Sequence, residues 1–307
     1  MKTLIIDSHK GFPHENATNL HVRNARIIAE KLGATLIASH AGADEIAQQK
    51  WDRIVFNHAS GYSNVDYKCL EMNPEAKLYY ITNEYNLGEP QLLWMAAKTG
   101  RKYNVIANHP PEASKVVKRY VDNWDIVNLN AIIFEEKQDT EEDLLFPIKQ
   151  DGVVYYGSFR ANRKKYFEKY FDERIYVSTS NDNIIKFGKI LPNLNCKFIG
   201  KLKWKPIKQL KSFSISLYIE DEKTHKHYNH LANRFYEAIS CGVTPIFDHS
   251  CVDTTNKSGY CIPEEYFCKS PDDLHSKIGL KADGRWVESA RAEKKQVLDK
   301  IKALILD

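Results

Sequence analysis

The sequence contains no apolar run near the roughly 20 residues that a helix needs to cross a bilayer. Its opening, Met1-Lys2-Thr3-Leu4-Ile5-Ile6-Asp7, is short and ends in an acid, unlike a secretory leader. The expectation is a protein without a membrane partner that stays in the cytoplasm where it is made. The six cysteines, Cys69, Cys196, Cys241, Cys251, Cys261 and Cys268, form no C-x-x-C pair. Neither a zinc knuckle nor a thioredoxin-type site is indicated, and reduced thiols are expected. Glycine and proline are scarce, 14 and 11 in 307 residues, while 43% of residues are hydrophobic and 27% charged. That composition excludes collagen, coiled coil and disorder and leaves a globular protein. Charge of one sign is also lacking. Lys plus Arg is 44 against 40 for Asp plus Glu, a net +4, which marks a nucleic-acid binder only if the cations cluster. Three signatures of nucleotide sites are missing as well: G-x-x-x-x-G-K-[ST], G-x-G-x-x-G, and D-x-D, which Glu220-Asp221-Glu222 approaches without matching.

What the sequence does have is alternation. Short β-branched and aromatic runs at 3–7, 35–39, 53–57, 78–82 and 104–107 are separated by segments of helical period, the pattern of a parallel sheet. Between the first two runs, Leu20, Val22, Ala25, Ile27, Ile28 and Leu32 give one helical face that stops at Gly33, in the place of a C′ glycine. An acidic stretch over 135–143 reads as a solvated linker, after which strand-like runs resume at 153–156, 174–178, 197–199, 214–219 and 244–247. A final helix over 285–306 carries Trp286, Ala290, Val297, Ile301, Leu304 and Ile305 on one face. The expected fold class is α/β: two Rossmann-like doubly wound domains, 1–148 and 149–284, facing across a cleft, with 285–307 as a C-terminal helix. Open parallel sheets bind ligands at the carboxyl ends of their strands.

Two features of the second half carry chemistry. In Tyr156-Gly157-Ser158-Phe159-Arg160-Ala161-Asn162-Arg163-Lys164-Lys165, a strand passes through glycine into a helix whose first turn is cationic. Cations there oppose the helix dipole unless an anion sits among them, and a diphosphate would resolve the conflict. A solvated basic turn is an equal reading of these residues alone. In Arg234-Phe235-Tyr236-Glu237, the arginine and the glutamate are three apart on one helix face. A guanidinium suits phosphate and a carboxylate suits two vicinal hydroxyls, although an ordinary ion pair explains the spacing as well.

Taken together, Gly157-Ser158-Phe159-Arg160 after a Val-x-Tyr strand, Phe198-x-Gly200-Lys201-Leu202, and Arg234-x-x-Glu237 before a small-residue turn resemble the DNA β-glucosyltransferases of T-even bacteriophages. The resemblance runs weakly over most of the chain, and only the second-half motifs are specific. It implies the GT-B fold, with an acceptor (DNA)-binding domain at 1–148, a nucleotide-sugar domain at 149–284, and the last helix packing on the first domain. By the same resemblance, Gly157, Ser158, Arg160 and either Arg163 or Lys164 would hold the diphosphate of a UDP-sugar, with a further contact from Arg234. Glu237 would hold the ribose, and the backbone near Leu202 would meet the uracil.

The first half departs from the pattern. Where the family has Thr-Asp with the aspartate as general base, this chain has Thr82-Asn83-Glu84, and an asparagine cannot take a proton. Glu84 is the expected substitute. Asp7 at the end of the first strand, Glu15 and His21 beside the 11–19 loop are rivals. With no D-x-D, arginines and helix dipoles are expected to neutralise the leaving group without an essential metal. Acceptor contacts are expected from Lys201, Lys203, Lys205, Lys208 and Lys211 with Trp204 interleaved, and from Lys115, Lys118 and Arg119; Phe12, Tyr85 or Trp94 would line a pocket for an extruded base. The expected activity is transfer of glucose, arabinose or another sugar from its UDP ester to a hydroxymethylated pyrimidine, 5-hydroxymethylcytosine foremost, in duplex phage DNA. The reaction would proceed with inversion, by a monomer in the cytoplasm of an infected bacterium. Two alternatives stay open: a GT-B enzyme with a non-DNA acceptor, and a catalytically inactive UDP- or DNA-binding protein.

Overall fold

A computed structural model describes residues 1–7, 20–38, 44–57, 64–82, 96–111, 120–135, 150–204 and 209–307. The chain forms two compact units, Met1–Ile133 with Glu293–Asp307, and Phe134–Ala292.

The first unit is built from β1 (Thr3–Asp7), α1 (Leu20–Leu32), β2 (Thr35–Ala38), α2 (Asp44–Ala47), β3 (Arg53–Asn57), α3 (Asn64–Met72), β4 (Lys77–Thr82), β5 (Tyr103–Ala107) and β6 (Val121–Ile126). The strands pair in parallel in the order β2-β1-β3-β4-β5-β6. β1 and β3 are buried at every position, as apolar strands covered on both faces must be. α1 ends as its glycine foretold: Gly33 has φ +61°, its N–H donates to the Glu30 carbonyl at 3.2 Å, and the Ala34 N–H donates to the Ala29 carbonyl at 2.9 Å. This is the Schellman closure of a helix C-terminus. β6 was not anticipated. Its Asp122, Asn123 and Asp125 disfavour a strand, and it is tolerated as the half-exposed end strand of the sheet's order.

The second unit comprises β7 (Gln150–Tyr156), a 3₁₀ turn (Ala161–Arg163), α4 (Lys164–Tyr170), β8 (Ile175–Ser178), α5 (Asn181–Ile190), β9 (Lys197–Ile199), β10 (Phe213–Tyr218), α6 (Glu222–His227), α7 (Asn233–Ser240), β11 (Thr244–Asp248), α8 (Val252–Lys257), β12 (Phe267–Cys268) and α9 (Pro271–Ser276). Its parallel order is β12-β11-β10-β7-β8-β9. The chain winds outward from β7 through β8 to β9, then returns to the other side of β7 to lay down β10. The order therefore reverses between β7 and β10, and the carboxyl ends of those two strands are where an open parallel sheet forms its ligand crevice. In the first unit the reversal lies between β1 and β3.

The last helix, α10 (Gly284–Leu306), divides its contacts. Trp286 is buried against Tyr266 and Phe235, with ring centroids 4.5 and 5.9 Å away. Further along, Asp299 pairs with Lys31 at 2.6 Å, the Arg53 Nη2 donates to the Leu306 carbonyl at 2.6 Å, and Lys300 Nζ donates to the Ile126 carbonyl at 3.0 Å.

Candidate functional site

At the β7 side of the second crevice, Gly157 has φ +152°. A Cβ there would stand 3.1 Å from the Tyr155 hydroxyl and 3.7 Å from Arg234 Nη1, so the backbone conformation favours glycine and a side chain would press on Tyr155. The Gly157 N–H donates to the Ser178 carbonyl at 3.1 Å, and the Phe159 N–H donates to Asn183 Oδ1 at 3.1 Å. The Phe159 ring packs 4.9 Å from Phe187 and 5.8 Å from Phe167. Pinned at both ends, the loop leaves Ser158 and Arg160 exposed. The helices that follow have no side-chain cap at Arg160 or Arg163 and no acid in their first turns. By contrast, Ser180, Asp221 and Ser270 cap α5, α6 and α9. Free amide donors and cations thus gather at one helix start. Lys164 is exposed and 3.5 Å from Glu168.

The β10 side supplies Ile219, Glu220 and Asp221. Glu220 is 1% exposed; its Oε1 accepts from Arg234 Nη2 at 2.6 Å and its Oε2 from Arg163 Nη2 at 2.6 Å. Arg163 also reaches Asp221 Oδ2 at 3.3 Å, and Arg234 donates to the Ile219 carbonyl at 2.9 Å while its guanidinium lies 5.5 Å from the centre of the Tyr218 ring. Burial works against both charges, but Glu220 first, together with Tyr155 and, for Arg163, Asp221 and, for Arg234, Tyr218 and Tyr156, outweighs it and holds both guanidinium groups more firmly protonated than usual. Burial likewise pushes the Asp221 carboxyl up, while Arg163, the Thr224 N–H and Arg160 bring it below the ordinary carboxylate range. Three buried polar atoms at this spot have no hydrogen-bond partner among the described residues: Tyr155 Oη, Arg163 Nε and Arg234 Nε.

α7 places Arg234 and Glu237 together in the interior. Glu237 accepts from Asn233 Nδ2 at 3.1 Å, and the Arg234 carbonyl accepts from the Tyr156 hydroxyl at 2.8 Å. The Leu202 N–H is spent inside the protein, on Ser178 Oγ at 3.1 Å. Trp204 departs from its expected place among DNA-facing lysines. It is buried with Val154, Leu210 and Phe213, because an indole gains more from that core than from solvent, while Lys201 and Lys203 beside it stay exposed. In the first unit, the fully buried Asp7 ends β1 and accepts from Asn57 Nδ2 at the end of β3, at 3.1 Å. Glu84, Glu15, Asn83, Phe12, Tyr85, Trp94, Lys115, Lys118, Arg119, Lys205 and Lys208 lie outside the described residues, as does the His21 side chain.

Among the described residues no three His, Cys, Asp or Glu side chains form a group that could hold a metal ion. The acids nearest the loop do not suit one: both Glu220 oxygens serve arginines, Asp221 serves Arg163 and Thr224, and Glu222 faces Lys165 at 3.4 Å. No described helix is long and apolar enough to cross a membrane.

No protein-family model matches the chain, and no curated protein matches it. Solved structures do. The chain is similar to T4 phage BGT in complex with UDP and Mn2+, with a TM-score of 0.61 and 15% identity over 99% of this chain and 96% of that one. It is similar to the DNA-modifying enzyme β-glucosyltransferase, with a TM-score of 0.59 and 15% identity over 99% and 95%. It is also similar to an α-glucosyltransferase in complex with UDP and a 13-mer DNA containing a HMU base, with a TM-score of 0.57 and 11% identity over 99% and 94%. The fold is that of the GT-B glycosyltransferases, two six-stranded parallel sheets each flanked by helices.

Proposed function

We propose that this protein is a glycosyltransferase that moves a sugar from a UDP-sugar to the hydroxymethyl group of a modified pyrimidine, 5-hydroxymethylcytosine foremost, in DNA. The observation that carries the reading is the reversal point between β7 and β10, where an uncapped cationic helix start follows the Gly157 turn and two buried arginines, bridged by Glu220, stand behind it, Arg234 sharing its helix with the buried Glu237. The structural neighbours, one bound to UDP and another to UDP and a DNA with a HMU base, support a UDP-linked donor and DNA as the acceptor.

In this reading the diphosphate lies over Ser158 and the amides that follow it. Arg160 and Lys164 meet it from the exposed side, and Arg163 and Arg234 supply positive charge from the buried side. Charge that develops on the departing UDP is stabilised by groups already in place, in surroundings where water screens little. Glu237 accepts from the ribose hydroxyls. The acceptor hydroxyl attacks the anomeric carbon as the bond to UDP breaks, which inverts that carbon, and Glu84 takes the proton, with Asp7 and Glu15 as the other carboxylates for this role. A hydroxymethyl group within a duplex reaches such a site only after its base leaves the stack, at a cost of a few kcal/mol. No step is routed through a metal, since the carboxylates beside the loop are engaged by cations.

Mass spectrometry of nucleosides tests the reading, after incubation of hydroxymethylcytosine duplex with the protein, a panel of UDP-sugars and EDTA. A mass gain of one sugar on the modified cytidine is expected. No gain on any modified DNA, with UDP bound, would refute the acceptor and leave a different acceptor or an inactive binder.

A further inference from the structure

In the sequence Glu220 belongs to Glu220-Asp221-Glu222, an acidic run that falls short of D-x-D, yet both buried arginines of the crevice converge on it. One oxygen serves each guanidinium at 2.6 Å, and the residue is 1% exposed. Two guanidinium groups held this close repel each other, and a dry interior magnifies the repulsion. A carboxylate that gives one oxygen to each converts the repulsion into a bridge. Each arginine then has a second tether, Asp221 for Arg163 and the Ile219 carbonyl for Arg234, and keeps a buried Nε that the protein does not use. Arg234 Nη1 is thereby held 3.7 Å from where a Gly157 Cβ would stand, against the turn that carries Ser158 and Arg160.

We propose that Glu220 is a positioning residue for the donor: it holds the guanidinium groups of Arg163 and Arg234 side by side behind the Gly157 turn in the arrangement that receives a nucleoside diphosphate. The inference rests on the UDP-sugar reading above and assigns Glu220 no contact with the ligand.

Charge gives the test its sign. A buried carboxylate near a diphosphate repels it, so if Glu220 did no more than balance charge, neutralising it would tighten UDP binding. Positioning predicts the reverse. Glu220→Gln keeps the shape of the side chain and loses the charge-assisted bonds to both arginines, and its Kd for UDP is expected to rise about tenfold or more. Glu220→Asp keeps the charge but is one methylene shorter, so it cannot serve both guanidinium groups at 2.6 Å, and a rise in Kd is expected at unchanged net charge. UDP is titrated calorimetrically into the wild type and both variants, with circular dichroism and thermal unfolding as folding controls. A purely structural role would lower thermal stability and leave the Kd of the folded protein where it was. A folded Glu220→Gln with a wild-type or lower Kd overturns the proposal; where that variant does not fold, a wild-type Kd in Glu220→Asp overturns it. Failure of the wild type itself to bind UDP is seen before any variant is compared, and it overturns the donor reading instead.

Discussion

Gly157 is the position where one added methyl group discriminates most sharply. At φ +152° an alanine would occupy a conformation that costs a non-glycine residue about 1–3 kcal/mol. Its Cβ would also stand 3.1 Å from the hydroxyl of Tyr155, which is fully buried and has its ring 5.2 Å from Phe171 and 5.7 Å from Phe167. That ring cannot move aside freely, and overpacking of this kind adds about 1–3 kcal/mol. Gly157→Ala should therefore destabilise the protein by about 2–6 kcal/mol in urea unfolding. Because relief comes most easily by shifting the 157–160 turn away from Arg234, UDP affinity should fall about tenfold or more. Gly188→Ala is the control: Gly188 lies inside α5 with no heavy atom within 4 Å of its Cβ position, so alanine there should stabilise by about 0.5–1 kcal/mol and leave UDP binding unchanged. A Gly157→Ala protein with wild-type stability and wild-type UDP affinity would refute the reasoning.

Three further outcomes are expected. Glu237→Ala should weaken UDP binding by about 1–3 kcal/mol in calorimetry if the carboxylate holds the ribose, and unchanged binding would remove it from the donor site. Glu84→Gln should leave UDP binding intact and slow transfer about 100-fold or more, whereas a near-wild-type rate would move the base to Asp7 or Glu15. The Asp221 carboxyl is held below the ordinary range in the folded chain, so its contribution to stability is complete above the unfolded value near pH 4 and is lost as the pH falls through the lower folded value. Urea unfolding at pH 7 and pH 3 should show a stability loss on acidification that Asp221→Asn reduces, and equal losses in the two proteins would contradict that contribution.

Most strands were legible because a buried parallel strand leaves few options: 53–57 reads Arg-Ile-Val-Phe-Asn and is β3 at those bounds. β6 was not, since a half-exposed end strand whose Val121 and Trp124 alone reach the core has no apolar run to betray it, and the two-residue β12 is too short to leave a period. Helical spacing put Arg234 and Glu237 on one face, and only the resemblance to the phage enzymes gave that face a donor role. Glu220 could not be picked out, because its part depends on β10 lying beside β7, a fact of strand order that no local pattern carries. Trp204 misled for the converse reason: lysines on either side read as an exposed run, while the packing of one residue in that run was settled by Val154, Leu210 and Phe213, distant in sequence.

The central claim is that the crevice between β7 and β10 is the donor site. Hydrogen–deuterium exchange with and without saturating UDP tests it most directly. Slowed exchange is predicted over 157–164, at 220–222 and over 233–238, the segments that carry Ser158, Arg160, Glu220, Arg234 and Glu237. Unchanged exchange in those segments, or protection confined to the ends of β1 and β3, would contradict it.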